Sequence, residues 1–129
     1  MKIRSLAVIG THTARHKEMV RFLTDVLKLK VEHKDDTFTT FRLPDNSKVE
    51  VFAAGHSHGN VGPVTSAPVP EFLVDDLVAA RTELGSAGVE LVGPLRQDGR
   101  GSSWQLFRAP DGNVYAVVSY APSRSGAKP

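Results

Sequence analysis

The sequence contains no cysteine, which removes disulfides, thiolate nucleophiles and cysteine-ligated zinc and leaves any metal to His, Asp or Glu. It has no excess of one charge. The formal net charge of +2 comes from 16 basic and 14 acidic residues, and Arg124 and Lys128 alone account for it. A neutral body without a basic stripe carries no electrostatic footprint for nucleic acid or an anionic membrane, so neither is expected as a partner. Long hydrophobic runs are missing too. The apolar run at 6–9 is broken by Gly10, Thr11 and His12, too short for a signal sequence or a membrane span, so the protein is expected in the cytoplasm.

What is present describes an ordinary globular chain. With 129 residues, 40% hydrophobic and 23% charged, it is long enough to bury roughly two thirds of its unfolded surface around one core. The informative feature is an internal repeat. Phe41-Arg42-Leu43-Pro44-Asp45-Asn46 matches Phe107-Arg108-Ala109-Pro110-Asp111-Gly112 without a gap, and an alternating strand follows each. Each stretch predicts a hairpin: Pro presets φ and Asn or Gly tolerates positive φ at the turn. Upstream of each hairpin lie an apolar strand, an amphipathic helix and a strand opening Val-Glu.

Strands are predicted at 3–10, 30–34, 38–43, 48–53, 68–74, 89–95, 103–108 and 114–120. Met19, Phe22, Leu23, Val26 and Leu27 give the first helix, from residue 13 or 14 to 27, an apolar face. Leu77, Ala80 and Leu84 do so for the second, which Asp75 or Asp76 caps and Gly88 ends. The chain therefore reads β-α-β-β-β twice, an α+β fold of two tandem modules. One domain is expected over 1–121, comprising module one (1–54), a connector (55–67) and module two (68–121), followed by a disordered tail at 122–129.

This order of units, the Val74-Asp75-Asp76-Leu77 run, the Ala87-Gly88-Val89-Glu90 turn and the Pro110-Asp111-Gly112-Asn113 turn resemble the glyoxalase, bleomycin-resistance and extradiol-dioxygenase superfamily, also called vicinal oxygen chelate. The resemblance implies that two curved mixed sheets form a cup for a small ligand, often on a divalent metal, and that the chain is a homodimer. The metal ligands of such proteins would fall on Val8, Glu50, Val69 and Ala116. Only Glu50 can ligate. Since a catalytic ion wants about three His or carboxylate ligands, no metal and no other cofactor is expected at these positions.

Period-two alternation gives the rest of the cup. Lys48, Glu50 and Phe52 share a face, as do Val69, Glu71 and Leu73, and Trp104 or Gln105 joins them depending on register. Glu71 lies between Pro68 and Pro70 and the strand end, where a bulge would rotate it outward. Candidate ligand contacts are thus Val8, Lys48, Glu50, Phe52, Val69, Glu71, Trp104, Gln105 and Ala116, with Glu50 the candidate base. His12 with His16, and His56 with His58, have ligand-like spacings but lack a third ligand, and read as solvated loop and helix-start residues. His33 reads as a strand surface residue. The functions weighed are metal-free binding of a small, partly apolar molecule, as in drug-sequestering members of the superfamily; metal-free lyase, isomerase or dioxygenase chemistry with Glu50 as base; and a metal enzyme that recruits His12, His56 or His58.

Overall fold

The computed structural model describes residues 1–54 and 67–120. The first module comprises β1 (Ser5–Thr13), α1 (His16–Arg21) with a π-helical turn (Phe22–Val26), β2 (Lys30–Lys34), β3 (Phe38–Arg42) and β4 (Lys48–Ala53). The second comprises β5 (Val69–Leu73), α2 (Leu77–Ser86), β6 (Glu90–Gln97), β7 (Ser102–Arg108) and β8 (Val114–Tyr120). All eight strands belong to one mixed sheet in the order β2-β3-β4-β1-β5-β8-β7-β6. Within each module the first and last strands run parallel, and antiparallel pairing of β1 with β5 joins the modules.

The repeat extends to individual hydrogen bonds. Leu43 N–H donates to Ser47 O at 2.8 Å, and Ala109 N–H donates to Asn113 O at 2.8 Å. Asp45 and Asp111 each accept the N–H two residues on, at 2.9 and 3.0 Å. Asn46 and Gly112 take the positive φ of the turn, 71° and 87°. In α2, Asp76 is the N-cap, its Oδ1 accepting Ala79 N–H at 3.0 Å, and Gly88 (φ 80°) ends the helix.

Helix α1 departs from its sequence pattern. Strand β1 continues through Thr13 because its ladder with β4 runs on to Thr13↔Ala53, so the helix begins only at His16. The Thr24 hydroxyl then donates back to Val20 O at 3.0 Å and Arg21 O at 3.1 Å, and Leu27 N–H reaches Phe22 O at 3.2 Å, which opens the last turn into a π-bulge. The wider turn rotates the expected apolar stripe. Val20 and Leu23 are buried, whereas Phe22, Val26 and Leu27 are exposed.

Both helices lie on one face of the sheet. Val20 and Leu23 pack on Phe41 and Val51 under α1, and Leu77, Ala80 and Leu84 pack on Val74 and Val117 under α2. Each large apolar side chain so buried contributes roughly 1.5–3 kcal/mol. The opposite face carries a smaller cluster, Ala7, Val8, Trp104 and Val118. That face holds the candidate site.

Candidate functional site

Cross-strand pairing arranges the helix-free face in rows. One row runs Arg42, Lys48, Val8, Glu71, Ala116, Leu106, and the next runs Thr40, Glu50, Gly10, Val69. A third consists of rings: His33 stacks on Phe38 at 4.7 Å, Phe38 on Phe52 at 5.7 Å and Phe52 on His12 at 4.9 Å between centroids. Gly10 leaves space between the rows. A Cβ there would lie 3.7 Å from Glu71 Oε2 and 3.6 Å from the Phe52 ring.

A cleft of about 610 Å³ opens over these rows, with Thr40, Glu50, Lys48, Val8 and Glu71 at its base and Phe38, Trp104, Val118 and Tyr120 also lining it. Glu50 and Glu71 are both half-buried. Burial, and after it the Glu50 charge, push the Glu71 carboxyl up to about 8 against the opposing pull of Lys48. Burial also raises Glu50, eased by Lys48 and the Thr40 hydroxyl. Tyr120 is raised as well, by burial and then by the two glutamates. Around the rim, Asp35 is held well below the usual carboxylate range by the Thr37 hydroxyl and His33, and Glu32 is lowered by Arg42. Lys48 Nζ lies 3.7 Å from Glu32 Oε2 and 5.8 Å from the centre of the Tyr120 ring. The base of the cleft thus holds two carboxyl groups that share one nearby cation.

Of the residues singled out from sequence, Val8, Lys48, Glu50, Glu71 and Trp104 line this cleft. Phe52 and Val69 share its face, Phe52 within the ring stack, and Ala116 is fully covered beside Glu71. Gln105 does not reach the cleft. The β7 register turns it toward α2, where it accepts from Arg81 Nε at 2.8 Å and donates to Gly93 O and Leu106 O, both at 2.9 Å. Glu71 faces inward, because the register shift falls on β1 between Leu6 and Val8 and not at the prolines of β5.

His12 and His16 differ from their sequence reading. His12 and His16 are half-buried, not solvated: His12 stacks on Phe52, while His16 Nε2 lies 3.2 Å from the hydroxyl of Thr39, which is itself fully buried. His12 lies on β1 and His16 starts α1, so the two do not share a helix face. His33 is bonded to Asp35 at 2.7 Å and lines the cleft. His56 and His58, with most of the connector and the tail, fall outside the described residues.

Reasoning from sequence missed Phe38, Thr40 and Tyr120. Alternation along β3, read from the Pro-Asp turn, places Thr40 and Phe38 opposite Glu50 and Phe52, and continuing 114, 116, 118 reaches Tyr120. Asp98 and Arg100 come from the β6–β7 turn and Ser102 from the first position of β7, and none carries such a signal.

Among the described residues the donor set does not fit a catalytic divalent ion. Val8, Val69 and Ala116 offer no ligand atoms beside Glu50, and the described residues contain no group of three His, Asp or Glu able to hold a metal. Glu71 adds a second carboxylate and no third.

Two βαβββ modules joined edge to edge, with a ligand-sized cleft on the face away from the helices, define a recognisable class of protein. The chain belongs to the Glyoxalase/Bleomycin resistance protein/Dioxygenase superfamily, whose family model matches residues 6–117. Among solved structures it is similar to methylmalonyl-CoA epimerase from Mycobacterium tuberculosis, with 19% identity and a TM-score of 0.75 over 97% of this chain and 93% of that one. A superfamily member from Vibrio splendidus 12B01 has 16% identity and a TM-score of 0.65 over 92% and 99%. An NAD-dependent benzaldehyde dehydrogenase structure from Legionella pneumophila has 12% identity and a TM-score of 0.67 over 88% and 97%. These likenesses establish the fold. Comparison with curated protein sequences gives no match. No helix among the described residues is long and apolar enough to cross a membrane.

Proposed function

We propose that the chain binds a small, partly apolar organic molecule in the cleft over Glu50 and Glu71, without a metal, and sequesters it. The observation that carries this reading is the pair of poorly compensated carboxyl groups at the base of an apolar-walled cleft of about 610 Å³. Such a site offers shape and hydrogen-bond acceptors, and the described residues supply no three-ligand set that would polarise a substrate. Trp104 is the single tryptophan and stands in the wall, so its fluorescence reports occupancy directly. A screen of small organic molecules should give saturable changes in Trp104 emission, with no turnover of the molecules that bind. Saturable emission changes accompanied by conversion would replace sequestration with catalysis, and a screen without any saturable change would contradict the reading.

Metal-independent proton transfer is the second reading, favoured by the Glu71 carboxyl at about 8, close to where a general acid or base works best at neutral pH. Here Glu50 would be the base and Glu71 the protonated partner. Exchange of an acidic substrate C–H in deuterated water would favour it.

A homodimer in the cytoplasm completes the proposal. Phe22, Val26, Leu27 and Val31 are exposed apolar residues at the end of the first helix and on β2, which supports association with a second copy. Light scattering giving a mass near the 14.0 kDa of one chain would contradict the dimer.

A further inference from the structure

We propose that the binding site has a second compartment, the hollow between the start of β1 and the β3–β4 turn, and that it takes the uncharged amide end of an elongated ligand whose other end lies over Glu50 and Glu71. This rests on the binding reading above and specifies the shape of the ligand and the polar group that it carries.

The first support is continuity. The hollow, of about 560 Å³, is bounded by residues 5–7 of β1, by Arg42 and Lys48 on either side of the turn, and by Leu73 and Tyr120 at the ends of β5 and β8. Lys48 and Tyr120 line the cleft as well, and Lys48 Nζ lies 5.8 Å from the centre of the Tyr120 ring. The two cavities meet at this pair of side chains. Leu6, which is exposed, lines the hollow with Ala7 and Leu73 and offers apolar surface to a chain entering from the cleft.

The second support is a set of polar groups without partners. The β1–β4 ladder begins at Val8↔Lys48, so residues 5–7 face no strand on that side, while β5 pairs with Ser5 and Leu6 on the other. An open strand edge presents both N–H and C=O groups, and an amide answers both. The hydroxyls of Ser5 and Tyr120 form no hydrogen bond among the described residues. Burial raises Tyr120, which keeps its hydroxyl a donor at neutral pH.

The charges at the hollow disfavour an ionic end. Arg42 is bonded to Glu32, which also lies 3.7 Å from Lys48 Nζ, and Asp45 accepts the Ser47 N–H at 2.9 Å and the Ser47 hydroxyl at 2.5 Å. Two bases already balance two carboxylates. A ligand carboxylate would set three acids against two bases, and a ligand ammonium would compete with Arg42 and Lys48 for Glu32. A neutral amide disturbs neither pairing.

The test is a set of titrations of the full, isotope-labelled chain, followed by backbone amide NMR, with three probes of similar length: phenylvaleramide, phenylvalerate and phenylpentylammonium. Phenylvaleramide should shift the resonances of Leu6, Ala7 and Asn46 in the hollow and of Thr40, Glu50 and Trp104 in the cleft with a single dissociation constant. It should bind at least about fivefold more tightly than either charged probe. In Tyr120→Phe and Ser5→Ala that advantage should shrink several-fold. The advantage is read first in the unaltered protein, so it does not depend on either variant folding. Either charged probe binding as tightly as the amide, or shifts confined to the cleft, overturns the second compartment and leaves the binding reading standing. If the shifts are confined to the hollow, or no probe shifts either group, the elongated ligand falls, and the binding reading is decided by the wider screen alone.

Discussion

Replacing Glu71 by Gln should make the protein more stable at alkaline pH while leaving its stability in acid unchanged. The folded carboxyl titrates at about 8 against an ordinary 4.5. Over the interval between these values the native chain keeps a proton that the unfolded chain has lost. Stability from this group is therefore complete below 4.5 and is lost as pH rises toward 8. At about 1.4 kcal/mol for each pKa unit, the displacement amounts to on the order of 4–5 kcal/mol for a site sealed from water. Glu71 is half-buried in an open cleft, so roughly half of that survives solvent screening, about 2–3 kcal/mol. Gln keeps the shape and carries no titrating proton. In urea unfolding followed by Trp104 emission, Glu71→Gln should match the parent near pH 4 and exceed it by about 2–3 kcal/mol near pH 9. Parallel stability profiles for the two proteins across this range would refute the reasoning.

Three further outcomes follow from the same structure. Glu50→Gln removes the like charge beside Glu71, so carboxyl NMR should show Glu71 titrating below its parent midpoint yet still above 4.5, because burial is the larger cause; an unmoved midpoint would show the two groups to be uncoupled. Asp76→Ala deletes the side-chain acceptor for Ala79 N–H at the start of α2 and should cost about 1 kcal/mol in denaturant unfolding. Phe41→Ala empties a fully buried position beneath α1 and should cost about 3–5 kcal/mol, seen as a lower denaturation midpoint with an unchanged slope.

The parts of this architecture that were legible in the sequence are those fixed by local chemistry. The two Pro-Asp turns, the Asp76 cap and the Gly88 terminus each lie within a few residues of the hydrogen bonds they make. Strand alternation then placed Lys48, Glu50 and Glu71 on one face. What escaped depends on distant partners. The Trp104 or Gln105 choice was set by pairing of β7 with β8 and β6, and the Glu71 direction by where the β1–β5 ladder takes up its extra residue. The length of α1 was decided by the reach of the β1–β4 ladder and by a Thr24 hydroxyl bonding backwards, neither of which changes the hydrophobic pattern. His33 is the strand surface residue that the alternation implied, with an exposed side chain, but nothing in its own strand announces Asp35 and Phe38 as partners.

The central claim is that an organic molecule occupies the cleft over Glu50 and Glu71 without help from a metal. Native mass spectrometry of untagged protein from its own host, recorded before and after dialysis against a strong chelator, tests it most directly. The account predicts an organic adduct that survives chelation and is diminished in Glu71→Gln. Stoichiometric Ni, Zn, Mn or Fe that withstands plain dialysis and disappears in Glu50→Ala, or an adduct released by the chelator, would contradict it.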